Sequence, residues 1–242
     1  MELRGTEAVD ILPSEYNTTS KIHEYGGGAC VVSPDGSIIF TDANTNGVFR
    51  LSSGSVKSVR QGSPTKRFGD FNVHPLDTNW ILAVHEEHRG DEVVNCIVVI
   101  NDETQNTDFV AEGADFYSHP RFSPDGKRIC WTQWNHPDMP WTGTELYVAD
   151  WNDGNVVKGT LKKIAGELRK ESICQPRWNS DGSLVYSSDR NDFWLLYRLD
   201  PETSDVEYLK VDGFEDSDFG GRQIFLGEYV VFSLMNLGKI DI

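Results

Sequence analysis

A tight-turn motif recurs along the chain, and its spacing restricts the possible folds more than any other feature. Ser33-Pro34-Asp35-Gly36 returns as Ser123-Pro124-Asp125-Gly126 and as Asn179-Ser180-Asp181-Gly182, with a weaker copy at His74-Pro75-Leu76-Asp77. Each copy lies between two short apolar runs of strand character: 29–32 and 37–41, 71–73 and 79–85, 121–122 and 127–133, 177–178 and 183–188. Turn residues between two such runs make a β-hairpin. A third run follows in every unit (47–51, 93–100, 145–150, 194–199), then a weaker fourth (56–60, 107–110, 161–164, 206–211). The copies begin at 33, 74, 123 and 179, so they stand 41, 49 and 56 residues apart. Four strands in about 40–50 residues is the period of a propeller blade. One such sheet cannot cover both its apolar faces, so blades stack around an axis. No long helical pattern competes; residues 161–172 are the best candidate for a helical turn and read as an insertion in a blade.

The expectation is therefore an all-β chain, a β-propeller of four-stranded antiparallel blades forming a single domain over residues 1–242. The blades fall at approximately 25–60, 68–111, 117–165 and 173–211, with a partial or composite blade from 219–242 with 1–20. In that last unit 223–226 and 229–234 read as its first strands, and 7–12 has the pattern of an outer strand. Two arrangements remain open: a small closed ring of about five blades, or an open arc such as a truncated seven-bladed propeller. The strand pattern of 7–12 favours closure.

Charge excludes whole classes of partner. The chain carries 38 acidic against 22 basic residues, a net charge of −16. Nucleic-acid backbones and anionic membranes need the opposite sign, so neither is an expected partner. No apolar run approaches 18 residues, and the first residues lack the apolar core of a secretory signal. The four cysteines, at 30, 96, 130 and 174, show no C-x-x-C spacing and lie in or beside apolar runs. They read as buried free thiols in a reducing, cytoplasmic setting, with no metal site and no cofactor implied.

Several segments carry candidate chemistry. Residues 136–146, His-Pro-Asp-Met-Pro-Trp-Thr-Gly-Thr-Glu-Leu, pack two prolines, an aromatic and a Thr-Gly pair into one connection between strands. That is a stiff, shaped loop, and His136 and Trp141 are its candidate ligand contacts. Glu24 and Tyr25 precede a glycine triplet and offer a carboxylate and a phenol for an amino group. In His85-Glu86-Glu87-His88 the histidines are three apart on a strand end, which does not suit a zincin site; Glu86 and Glu87 are instead candidates to bind an amine. Asp42 to Gly47 matches the front of a calcium loop, but Ser53 stands where its last ligand belongs, so a plain Asx-rich hairpin turn is favoured. Arg121 and Arg177, each in a Pro-Arg-aromatic sequence, and Arg222 in a third copy lie on expected innermost strands. They can clamp a carboxylate, or pair with acids of neighbouring blades. Of the tryptophans at 131, 134, 141, 178 and 194, only Trp141 is a ligand candidate; the others read as packing between blades.

The segment His23-Glu24-Tyr25-Gly26-Gly27-Gly28-Ala29 and the loop 136–146, in this order and spacing, resemble the propeller domain of prolyl-oligopeptidase-family serine peptidases. The branch is that of acylaminoacyl and dipeptidyl peptidases. Residues 113–117, 122–127, 188–190 and 194–198 extend the resemblance to about 21–234. In that family a seven-bladed propeller caps an α/β-hydrolase domain, which supplies the Ser-Asp-His triad. The resemblance implies a non-catalytic portion that filters and orients peptide substrates, with a hydrolase catalytic domain as partner. No G-x-S-x-G elbow occurs in this sequence, so no serine-peptidase activity is expected from these residues alone. The alternatives are a propeller that binds or transforms a small organic molecule in its channel, and a protein-interaction scaffold. In the former, Glu24, His136 and the channel arginines would do the work.

Overall fold

The alternation of buried side chains explains the architecture. In the computed structural model, which describes residues 2–4, 6–214 and 217–227, strand β8 (Trp80–Arg89) and strand β9 (Glu92–Asn101) are apolar on both faces. Ile81, Ala83, Val98 and Ile100 point one way, and Leu82, Val84, Ile97 and Val99 point the other. Successive strand residues face opposite sides, so a sheet buried on both faces reads as a continuous apolar run.

These two strands form the middle of a four-stranded antiparallel sheet with β7 (Lys66–Val73) and β10 (Thr107–Glu112). The same up-and-down order builds three more sheets. β3 (Cys30–Val32), β4 (Ile38–Thr41), β5 (Val48–Ser52) and β6 (Ser55–Arg60) form the first. β11 (Phe116–Phe122), β12 (Arg128–Trp134) and β13 (Glu145–Asn152) form the third, completed by β14 (Asn155–Val156) and β15 (Lys162–Ala165). The fourth holds β16 (Ile173–Trp178), β17 (Leu184–Ser188), β18 (Leu195–Leu199) and β19 (Val206–Tyr208). The first strands β3, β7, β11 and β16 adjoin one another in that order, so the sheets are blades around a common axis.

Three apolar cores fill the wedges between blades. Ile39, Val48 and Val59 meet Phe68, Ile81 and Val98 between the first and second. Leu82 and Ile97 meet Tyr117, Ile129 and Trp131 between the second and third. Cys130, Leu146 and Val148 meet Ile173, Tyr186 and Leu199 between the third and fourth. At about 25 cal/mol per Å² of apolar area removed from water, these wedges supply the main drive for stacking.

The repeated turn closes each hairpin in one way. Asp35 Oδ1 accepts from the Ser37 amide and hydroxyl, and Asp181 Oδ1 does the same for Ser183. The glycine of the turn adopts a left-handed φ of 80° at Gly36, 69° at Gly126 and 84° at Gly182, which is why the motif ends in Gly. Residues 161–172 hold no helix: β15 takes the first part, and a tight turn joins Glu167 to Glu171. Cys30 departs from the expectation of a buried thiol. On β3 only Val31 faces the neighbouring core, and Cys30 and Val32 face outward.

The chain's two ends behave differently from a blade. β2 (Glu7–Val9) pairs with β1 (Glu2–Arg4), and among the described residues β1 and β2 form a separate two-stranded sheet. Residues 219–227 run as a strap rather than a strand pair. The Phe219 amide donates to the Trp194 carbonyl at 2.7 Å, Ser118 Oγ donates to Gln223 Oε1 at 3.3 Å, and Leu226 makes a parallel bridge to Gly27. The strap thus passes from the fourth blade across the third to the segment that opens the first. The expected strand at 229–234 lies outside the described residues, as does part of the composite blade. No described helix is long and apolar enough to cross a membrane.

Candidate ligand pocket

Residues 22–28 form a bend that no ordinary strand sequence would adopt. His23, Glu24, Gly26, Gly27 and Gly28 all have positive φ, at 51°, 64°, 78°, 93° and 55°. Left-handed backbone costs a non-glycine residue about 1–2 kcal/mol, so the bend needs external support. The second blade gives it. Glu86 Oε2 accepts the His23 amide at 2.7 Å. Arg67 Nη1 donates to the Lys21 carbonyl at 2.8 Å, to Glu24 Oε1 at 2.6 Å and to Glu86 Oε1 at 2.8 Å. Gly27 lies so close to the strap that a Cβ there would stand 2.2 Å from the Leu226 carbonyl oxygen.

The loop 136–146 is fixed by its own polar groups. Thr144 Oγ1 donates to the Pro140 carbonyl at 2.6 Å, and Thr142 Oγ1 donates to Asp138 Oδ1 at 3.1 Å. The His136 amide donates to Asp115 Oδ2 at 2.8 Å, and the His136–Pro137 bond is cis. Arg222 on the strap lies over the Trp141 ring, 6.0 Å from its centroid.

Bend, loop, third blade and strap enclose a pocket of about 210 Å³. His23 and Tyr25 come from the bend, Phe116 and Trp134 from the third blade, His136, Met139 and Trp141 from the loop, and Ile224 and Phe225 from the strap. The Phe116 and Trp134 rings stack at 5.4 Å and 14°. His23 meets Phe116 edge-on at 5.3 Å and 89°, and His136 meets it at 5.0 Å and 79°. Burial pushes the His23 imidazole down to about 4, against the pull of the Glu86 and Asp70 carboxylates, so it is neutral at pH 7.

The candidate residues divide by location. Tyr25, His136 and Trp141 line the pocket, and Arg222 lies over Trp141 without lining it. Glu24 points to solvent and is paired with Arg67, which with the hydrogen bond between them holds its carboxyl below the usual range. Glu86 is buried with both oxygens engaged, by the His23 amide, Arg67 and His88. Glu87 pairs with Lys66 and Arg89. Glu24, Glu86 and His88 bring three potential ligand atoms together, but Arg67 contacts both carboxylates, and its cation stands where a metal would have to go. Arg121 and Arg177 sit on innermost strands away from the pocket lining. Arg121 forms a buried pair with Asp70 at 2.6 Å, the inter-blade alternative weighed for these arginines. Residues 42–47 form a hairpin turn, the Asp42 amide donating to the Gly47 carbonyl and the Asn46 amide to the Asp42 carbonyl, while the Asp42 carboxylate accepts from the Asn17 backbone amide and the Thr45 hydroxyl. His23, Phe116, Trp134, Met139 and Phe225 are pocket residues that single-residue reasoning did not single out. The available signal was that 23–29 and 113–117 both belong to the segments carrying the family resemblance.

No family model matches the chain, and no curated protein does. Solved structures do. A puromycin-hydrolysing peptidase of Mycobacterium tuberculosis superposes with a TM-score of 0.80 at 27% identity, over 93% of this chain and 36% of that one. A puromycin hydrolase gives 0.76 at 26% identity, over 90% of this chain and 35% of its own. The chain therefore spans about a third of the length of these enzymes. An oligogalacturonate lyase, at 16% identity and a TM-score of 0.59 over 75% of this chain and 52% of its own, shares the fold. With its blades stacked in sequence order and this likeness along nearly its whole length, the chain is a β-propeller that resembles the propeller domain of prolyl-oligopeptidase-family peptidases.

Proposed function

We propose that this propeller admits and orients peptide substrates for a serine peptidase, with bond cleavage supplied by an α/β-hydrolase domain. One observation carries the reading. The two segments that bear the family resemblance, 23–29 and 136–146, lie far apart in sequence yet form facing walls of one pocket. The bend is held by Glu86 and Arg67 of the second blade and the loop by its own hydrogen bonds, which suits a surface that must present a ligand in one orientation. Likeness to a puromycin-hydrolysing peptidase supports the peptidase context. The absence of a G-x-S-x-G elbow supports placing the nucleophile elsewhere.

The test is calorimetric titration of the 242-residue chain with short peptides. Binding is expected, and Trp141→Ala should weaken it at least tenfold, or about 1.4 kcal/mol. Peptide affinity unchanged by Trp141→Ala overturns the assignment of this pocket.

A further inference from the structure

The pocket's size sets what it can hold. A dry apolar cavity of about 150 Å³ takes a benzene ring, and whole drug-sized ligands occupy about 300–1,000 Å³. At about 210 Å³ this one suits a single side chain with a six-membered ring and little more.

Its walls set the shape and charge of that side chain. Phe116 already has His23 and His136 edge-on to it and Trp134 stacked on it. Aromatic rings prefer offset-stacked or edge-to-face neighbours at 4.5–7 Å, so a further ring entering this cluster finds favourable partners. Among the described residues the lining carries no carboxylate, ammonium or guanidinium group. Glu24, adjacent to Tyr25, is turned away and neutralised by Arg67. The Arg222 guanidinium lies over Trp141, one of the lining residues, so a cationic side chain finds a like charge beside that ring and no counter-charge in the lining.

We infer that the pocket is a subsite for one uncharged aromatic side chain of a peptidyl ligand. This rests on the reading of the pocket as peptide-facing. It adds selectivity: ring over branched aliphatic, and neutral over cationic.

The experiment uses tetrapeptides that differ at one position, carrying Phe, Tyr, Leu, Lys or Ala, titrated into the full 242-residue chain. The Phe and Tyr peptides should bind at least tenfold tighter than the Ala and Lys peptides, and several-fold tighter than the Leu peptide. Phe116→Leu keeps the pocket apolar but removes its central ring, and should erase the preference of Phe over Leu. If Phe116→Leu does not fold, Phe225→Ala at the exposed rim should reduce the same preference. Equal affinity for the Leu and Phe peptides, with both weakened by Trp141→Ala, overturns the aromatic selectivity and leaves the peptide-facing pocket standing. If Trp141→Ala weakens none of the peptides, the peptide-facing pocket itself falls.

Discussion

Arg121 Nη2 donates to Asp70 Oδ1 at 2.6 Å, a buried ion pair that ties the innermost strand of the third blade to that of the second. The other Asp70 oxygen accepts the His119 amide at 2.6 Å. Burial opposes the charge on Asp70, but Arg121 and the His119 contact outweigh it and hold the carboxyl below its usual range. Removing one partner of such a pair strands the other. Arg121→Met should therefore cost about 3–5 kcal/mol. Asp70→Asn combined with Arg121→Met should cost less than the sum of the two single changes. Urea denaturation of the four proteins in this cycle measures the coupling, and strict additivity would contradict it.

Two desolvated histidines, half-buried His23 and fully buried His119, set a pH dependence. Burial pushes His23 down to about 4 and His119 down to about 3, Asp70 opposing in both cases. Each folded value lies below the ordinary 6.5, so the unfolded chain binds protons first on acidification. Stability should be full above about pH 6.5 and fall as the pH drops towards 4, by on the order of a few kcal/mol. Gln175 holds the matching place in the next blade with the same φ of 54° as His119. His119→Gln should thus be accommodated and should flatten the slope between pH 6.5 and 4. An unchanged slope in chemical denaturation across that range would count against burial as its cause.

Gly27→Ala tests the contact between bend and strap. The new methyl would meet the Leu226 carbonyl at 2.2 Å, in a backbone with φ 93°. Both effects are unfavourable, and the bridge to Leu226 should open. The expected result is a loss of about 2 kcal/mol or more in stability together with weaker peptide binding, read by thermal melting and titration of the same sample. Wild-type affinity in this variant would mean that the strap does not shape the pocket.

The thiols should divide one against three. Burial pushes Cys96 and Cys130 up to about 12 and Cys174 up to about 11, so little thiolate exists at pH 8. Cys30 is exposed. A chromogenic disulfide reagent should titrate one thiol in the native chain and four in denaturant. Rapid reaction of two or more thiols in the native chain would refute the packing described for β9, β12 and β16.

The blades were legible in the sequence because their signals are local. Asp35 and Gly36 fix a turn by contacts within four residues, and the apolar runs on β8 and β9 declare a sheet buried on both faces. The pocket was only half legible. Trp141 stands out because it has no strand around it to explain its burial. Trp134 and Phe116 do not, since a large aromatic on a strand packs between blades or lines a cavity with the same local pattern. Glu86 and Glu87 drew attention as exposed-type residues in a charged run. The long-range partners that engage Glu86, the His23 amide and Arg67, leave no trace in its neighbourhood in the sequence. Gln223 to Leu226 has strand composition, yet it forms a strap whose bridge partner lies almost at the other end of the described chain.

That bridge also orders events in time. Each blade is made of neighbouring hairpins and can assemble as soon as its own residues leave the ribosome. The bend at 22–28 is synthesised well before its partner Leu226. Until then Ile22 and Tyr117 lack the side chain that completes their cluster. A nascent chain can therefore carry stacked blades while the pocket is still unbuilt, and the pocket is completed in a single step once Leu226 has emerged.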